Sequence, residues 1–292
     1  MADAQPDDLF EWALTEALFS TPARLFVTAW TGHIPFLFAL IKLVRPRSYV
    51  ELGVHYGGSF IAACSAARQY GTGMKCFGID NWQGDQHAGS YDGDREYEKL
   101  SAYLKTDFSS ATLYRMSFSD ALSMFEDGTI DLLHLDGLHT FSAVQHDFES
   151  WKQKLSPQGI ALFHDISMRE DEFGVWKLWE NLKRCYPSME FFHAQGLGVA
   201  FVGGDQIPAA QRLLDLWNTN PPFREFFRTT CEHLGRTLPE RMHPKSVVAL
   251  KLLTQDCRTW KLLWPLVRFS RTFRWVNSIG RQIEHIARPK LC

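Results

Sequence analysis

Residues 134–140 read His-Leu-Asp-Gly-Leu-His-Thr, which puts three titratable groups, His134, Asp136 and His139, at the end of an apolar run. A second apolar run, Gly-Ile-Ala-Leu-Phe, ends in His164-Asp165. Asp136, His164 and Asp165 together suit a hard divalent cation, with water and hydroxyl oxygens completing its shell. Such an ion lowers the pKa of a bound hydroxyl and orients it. His139 offers a different chemistry. An imidazole that titrates near neutrality can take a hydroxyl proton directly as general base, and Asp136 can share that role. His134 lies two residues before Asp136, on the same face but deeper, and is expected to serve structure. His146 and Asp147 fall on the following helical stretch and read as solvated or capping groups.

These residues need a scaffold that brings two chain segments to one mouth. Between 48 and 203, short apolar runs alternate with helical stretches as a parallel sheet with crossover helices requires. Strands are expected at 48–54, 75–80, 111–116, 130–136, 159–165, 189–194 and 197–203, with helices at 59–70, 95–105, 118–125, 141–155 and 172–186. The last two strands, separated by Gln195-Gly196, fit an antiparallel hairpin. The fold class is therefore α/β: a doubly wound, seven-stranded, mostly parallel sheet. Residues 1–47 read as an N-terminal helical cap, 48–205 as the sheet domain and 206–292 as a helical extension. Ligands of such sheets gather beyond the carboxyl ends of the strands, where both Asp136 and Asp165 belong.

The first strand runs into Glu51-Leu-Gly-Val-His-Tyr-Gly-Gly-Ser59. A glycine turn between strand and helix lets backbone approach a ligand, and Ser59 opens a helix whose N–H groups are free. It is equally a tight turn with no ligand. Because His55 occupies the middle glycine position of G-x-G-x-x-G, a pyrophosphate would be poorly served. Glu51 could meet a cationic amine, Asp80 could accept from both hydroxyls of a ribose, and Trp82 could lie against a purine. Ser117 and Phe118 close the third strand, where they can border an adenine or, for the serine, cap a helix. In the polar loop 82–97, His87 and Tyr91 are either sugar contacts or ordinary loop residues. Trp176 and Trp179, three apart, are expected to pack in the core.

The segments Glu51–Ser59, Gly78–Asp85 and Asp131–Ile166 together resemble the class I S-adenosylmethionine-dependent methyltransferases. They most resemble the branch found with glycan-building enzymes and antibiotic-sugar O-methylation, over roughly 25–203. The resemblance implies that Glu51, Gly53 and Gly57 frame the methionine, that Asp80 holds the ribose and that Ser117 and Phe118 border the adenine. It implies methyl transfer to a hydroxyl of a sugar or glycan, with Mg²⁺ or another divalent cation at Asp136, His164 and Asp165. The related sugar enzymes carry an acidic pair where this chain has His164-Asp165. Two other readings stay open: a metal-independent small-molecule O-methyltransferase with a His base, and a non-catalytic scaffold in a glycan-synthesis complex.

Composition narrows the field. A net charge of −2 over 292 residues gives no global pull toward nucleic acid or anionic membrane. Six cysteines without a CxxC pair favour free thiols in a reducing compartment. The acidic start lacks the basic region of a secretory signal, so a cytoplasmic location is expected. Charge is uneven, however. Residues 257–292 hold eight Lys/Arg against Glu284, a local net of +7 that leaves −9 on 1–256. That tail, rich in Trp and Phe, could lie peripherally on the inner membrane face, dock on a partner such as a glycosyltransferase, or pack as a terminal helix.

Overall fold

In the computed structural model, which describes residues 6–170 and 172–242, one seven-stranded sheet organises the chain in the order β3-β2-β1-β4-β5-β7-β6. The strands are β1 (Ser48–Leu52), β2 (Lys75–Asp80), β3 (Ala111–Arg115), β4 (Ile130–Leu135), β5 (Leu155–His164), β6 (Ser188–Phe191) and β7 (Leu197–Phe201). Strands β1 to β5 pair in parallel, while β7 runs antiparallel to both β5 and β6. The doubly wound sheet expected from the alternation of apolar runs is thus present.

Central strands are buried on both faces, as parallel strands between helical layers must be. All six residues of β4 are buried. The two-residue period sorts them: Tyr49, Leu132, Ile160 and Leu162 enter one core, and Val50, Leu52, Leu133 and Leu135 enter the other. The first core is covered by α1 (Pro6–Leu18), α2 (Ile34–Val44), α3 (Gly58–Gln69), α8 (Pro208–Thr219) and α9 (Pro221–Arg236). The second is covered by α6 (Phe141–Trp151) and α7 (Val175–Cys185). Helix α4 (Gly93–Asp107) follows the polar loop, the short α5 (Phe118–Ala121) follows β3, and α10 (Leu238–Met242) follows α9. A 3₁₀ turn over Ala29–His33 links α1 to α2 and packs against α9.

Four sequence expectations are corrected. Helix α6 stops at Trp151 and β5 begins at Leu155, because the residue before Pro157 is steered away from helix. Helix α7 starts at Val175, after Gly174 donates to the His139 carbonyl at 2.7 Å. The connection between β6 and β7 spans residues 192–196, with Ala194, Gln195 and Gly196 all at positive φ, so Gln195-Gly196 is not a two-residue turn. Of the two tryptophans on α7, Trp179 is buried, but Trp176 is half-exposed beneath the Arg169 guanidinium. The basic tail lies outside the described residues. No described helix is long and apolar enough to cross a membrane.

At the amino ends of the strands, Asp131 ties β4 to the entry of β1. Its carboxylate accepts from the Arg47 backbone N–H at 2.8 Å, Nε at 2.9 Å and Nη2 at 2.9 Å, and from Ser156 Oγ at 2.7 Å. Burial pushes its pKa up, but these bonds outweigh burial and hold it below the usual range. A depressed folded pKa stabilises above the unfolded value, about 3.9. That contribution is lost as pH falls through the lowered folded value. Asp131→Ala is therefore expected to cost roughly 2–3 kcal/mol at pH 7. The deficit should shrink below pH 4, read by urea unfolding at several pH values.

Candidate active site

The switch in strand order falls between β1 and β4, and there the two sequence signals meet. Asp136 N donates to the Leu52 carbonyl and Gly53 N to the Ile79 carbonyl, each at 2.9 Å. This holds the ends of β1, β2 and β4 level. Gly53, at φ 93°, passes so close that a Cβ there would stand 2.1 Å from the Asp136 carbonyl oxygen. Only glycine fits. A cavity of about 540 Å³ opens above this junction, walled among others by Gly53, Asp80, Ser117, Phe118, Asp136 and Asp165.

On the glycine-turn side, Asp80 lines the cavity, and its carboxylate also braces the turn. Oδ2 accepts from Val54 N and His55 N, each at 2.9 Å, and Oδ1 accepts from Trp82 N at 2.7 Å. Ser59, Ser117 and Phe118 line the same space. Ser117 also caps α5 by accepting from Asp120 N.

Three residues assigned to the cofactor on sequence do not reach the wall. Glu51 is fully buried beneath it, accepting from the Tyr49 hydroxyl and from Ser59 Oγ at 2.6 Å. One residue back from the strand end, its side chain points into a core rather than the mouth. Gly57 caps α3 at φ 81° and faces Leu100. Trp82 is buried, packs against Tyr97 and donates its indole N–H to the His55 carbonyl at 3.0 Å. It locks the turn rather than stacking in the cavity.

On the other side, two carboxylates and two imidazoles converge. His139 Nε2 lies 2.8 Å from Asp165 Oδ2 and 3.3 Å from Asp136 Oδ1. His164 Nδ1 lies 3.3 Å from each carboxylate. Its Nε2 donates to the Ala194 carbonyl at 3.2 Å, which fixes the ring so that Nδ1 faces the acids. Burial opposes charge on both rings, but the acids prevail. The pKa of His139 is pushed up to about 9 and that of His164 to about 10. The same contacts overcome burial to hold Asp136 and Asp165 low. Contact with two carboxylates therefore favours the protonated form of both imidazoles. A protonated His139 has no lone pair with which to take a proton.

The group whose donor atoms lie within 4.8 Å of one another is Asp136, His139 and Asp165. His139 thus joins the acids as a candidate ligand, while His164, which also lines the cavity, keeps its Nδ1 3.3 Å from each of them. Asp165 Oδ1 and His139 Nδ1 are buried without a hydrogen-bond partner. Asp165 itself sits at φ 64°. An orphaned carboxylate oxygen is costly unless something meets it. Replacing two imidazolium protons by one divalent cation would leave the total charge unchanged, so the donor set fits such an ion.

His134 is structural, as expected. The Trp30 indole donates to its Nε2 at 2.9 Å, and its Nδ1 lies 3.3 Å from the Tyr49 hydroxyl. Sequence reasoning missed Trp30, His55, Tyr56, Phe173, Gln195 and Asp147, all on the wall. Trp30 arrives from the N-terminal turn and Phe173 stacks on His139 with centroids 4.9 Å apart. No periodicity announces such long-range meetings. His87 and Tyr91 also reach the wall. Burial lowers the His55 pKa and raises that of Tyr91.

A family model described as a methyltransferase domain matches residues 50–166, the segment that builds both halves of this cavity. This segment is similar to methyltransferase domains. An uncharacterized protein, y4gI, of Sinorhizobium fredii is 40% identical over 218 residues, covering 73% of this chain and 24% of its own length. The chain thus spans about a quarter of that relative. Among solved structures, the O-methyltransferase TomG from Streptomyces achromogenes is 16% identical, with 70% of this chain and 93% of that one covered and a TM-score of 0.46. An O-methyltransferase family protein from Burkholderia thailandensis is 13% identical, with 61% and 57% covered and a TM-score of 0.45. The matched segment is extended by α1, α2, α8 and α9, which share the first core.

Proposed function

We propose that this chain is an S-adenosylmethionine-dependent O-methyltransferase acting on a hydroxyl of a sugar or glycan, with a divalent cation held by Asp136, His139 and Asp165. One observation carries the reading: the glycine turn with Asp80 and the Asp/His group open into a single cavity. When bound, S-adenosylmethionine supplies an electrophilic methyl group on a sulfonium. The chain's own part is to align and desolvate, the main levers on an in-line displacement. The open backbone at Gly53 admits a ligand without phosphates, and Ser117 with Phe118 offers a flat apolar end. Asp136 and Asp165 would hold the cation that acidifies and orients the acceptor hydroxyl. Trp30, Tyr56, His87, Tyr91 and Phe173 give aromatic faces beside polar groups, a mixture that supports a polyhydroxylated acceptor. The basic tail supplies a partner or inner-membrane contact in this proposal, and the enzyme works in the cytoplasm.

A metal-independent enzyme using His139 as base is the weaker reading, because the two carboxylates raise that imidazole's pKa to about 9 and disfavour the neutral form a base requires. Labelled S-adenosylmethionine offered with a panel of nucleotide sugars and glycans, with and without Mg²⁺, tests the proposal. Transfer that requires Mg²⁺ is expected. Transfer that survives EDTA would favour the His-base alternative, while no cofactor binding would favour the scaffold.

A further inference from the structure

We infer that His33, which ends the 3₁₀ turn ahead of α2, is a positioning residue for the Asp/His group, acting through the Ala194 carbonyl that orients His164. Its part in the reaction rests on the reading above, while the contacts themselves stand without it. Two imidazoles converge on one oxygen. The Ala194 carbonyl accepts from His164 Nε2 at 3.2 Å and from His33 Nε2 at 3.1 Å, using both lone pairs that a carbonyl offers. A carbonyl has no proton to give, so each ring carries a proton on Nε2. For His164 this turns Nδ1 toward the acids. For His33 it leaves Nδ1 buried without a hydrogen-bond partner. The His33 side chain is fully buried, and burial, with His164 and His193 beside it, lowers its pKa. A neutral His33 thus serves as the donor of one fixed bond to a residue 161 positions away.

That bond has a strained segment to hold. Ala194 and Gln195 sit at φ 50° and 67°, a region that residues other than glycine keep only where surrounding contacts impose it. His193 Nε2 donates in return to the Gly32 carbonyl at 3.1 Å. The 3₁₀ turn and the β6–β7 connection therefore clasp each other through reciprocal imidazole bonds. Gly32 lets them close, since a Cβ there would stand 2.5 Å from the Ala194 Cβ. Gly235 of α9 backs the turn from the other side, where a Cβ would stand 2.3 Å from the Gly32 carbonyl oxygen. The clasp fixes the Ala194 oxygen and through it the His164 ring, whose Nδ1 stands 3.3 Å from both Asp136 and Asp165. It also holds Gln195 at the cavity wall.

Calorimetry with Mn²⁺ on the full chain tests this, with S-adenosylhomocysteine as the control ligand. His33→Phe keeps a ring and removes the donor, whereas His33→Gln restores an N–H at similar reach. His33→Phe is expected to weaken Mn²⁺ binding about 10- to 100-fold, the usual worth of a partner that orients a metal site, and to leave S-adenosylhomocysteine within about threefold. His33→Gln should recover most of the loss. A merely structural role would lower both affinities together. That result, or an unchanged Mn²⁺ affinity in His33→Phe, overturns the inference. If thermal melts show that His33→Phe does not fold, His193→Phe, at a half-buried position, opens the clasp from its other side and should show the same selective loss. If wild type binds no Mn²⁺, the cation reading falls, and the imidazole nitrogen resonances of His164 become the readout. Resonances shifted in His33→Phe then sustain the inference, and unchanged ones overturn it too.

Discussion

Asp136→Asn is expected to lower methyl transfer by roughly 10²- to 10⁴-fold, the span lost when a group that activates a nucleophile is removed. It should also abolish Mn²⁺ binding by calorimetry, a readout independent of the acceptor. Asp165→Asn should behave alike, since the two carboxylates flank the same His139 nitrogen at 3.3 and 2.8 Å. Neither change alters side-chain volume much, and the main-chain bond from Asp136 N to Leu52 remains, so S-adenosylhomocysteine should still bind. His139→Ala separates the readings. A ligand role predicts weaker Mn²⁺ binding together with lost activity. A base role predicts lost activity with no change in metal affinity and no effect of EDTA. Activity of Asp136→Asn within threefold of wild type would remove the Asp/His group from the mechanism altogether.

Asp80→Ala should abolish measurable binding of S-adenosylhomocysteine, weakening it more than about 100-fold. It should also destabilise the fold by about 2–4 kcal/mol, because backbone donors at Val54, His55 and Trp82 lose their acceptor together. Asp80→Asn keeps one acceptor oxygen and should fall between. This dual effect separates Asp80 from a residue that only touches ligand. A stable Asp80→Ala protein that still binds within threefold of wild type would show that the brace is dispensable and the ribose contact wrong. Fluorescence suits the folding arm, since Trp82 is sealed between the turn and Tyr97.

Much of this site was legible before any coordinates. Gly53, Asp80 and Asp136 stand at ends of runs whose apolar character marks them as central strands, and strand ends of a doubly wound sheet converge by topology. Glu51 and Trp82 show where that reasoning stops. A chemical type at a strand end says a ligand can be met, but one residue of register decides whether the side chain faces the mouth or a core. Glu51 faces Tyr49 and Ser59 within the first core. Trp82, at φ 54°, is turned back onto His55 by a backbone conformation that residue identity does not disclose.

The sequence by itself determined the sheet, the glycine turn and the pairing of Asp136 with His164-Asp165. Each follows from local periodicity, glycine content and chain order, properties read within one element. Tertiary structure alone decided that His139 joins His164 beside both acids, that those acids raise the pKa of both imidazoles, and that Asp147 opens on the cavity. Those outcomes depend on distances of a few ångströms between residues far apart in the chain, such as the Ala194 carbonyl that orients the His164 ring. Charge states follow burial and neighbours, which exist only once the chain has folded.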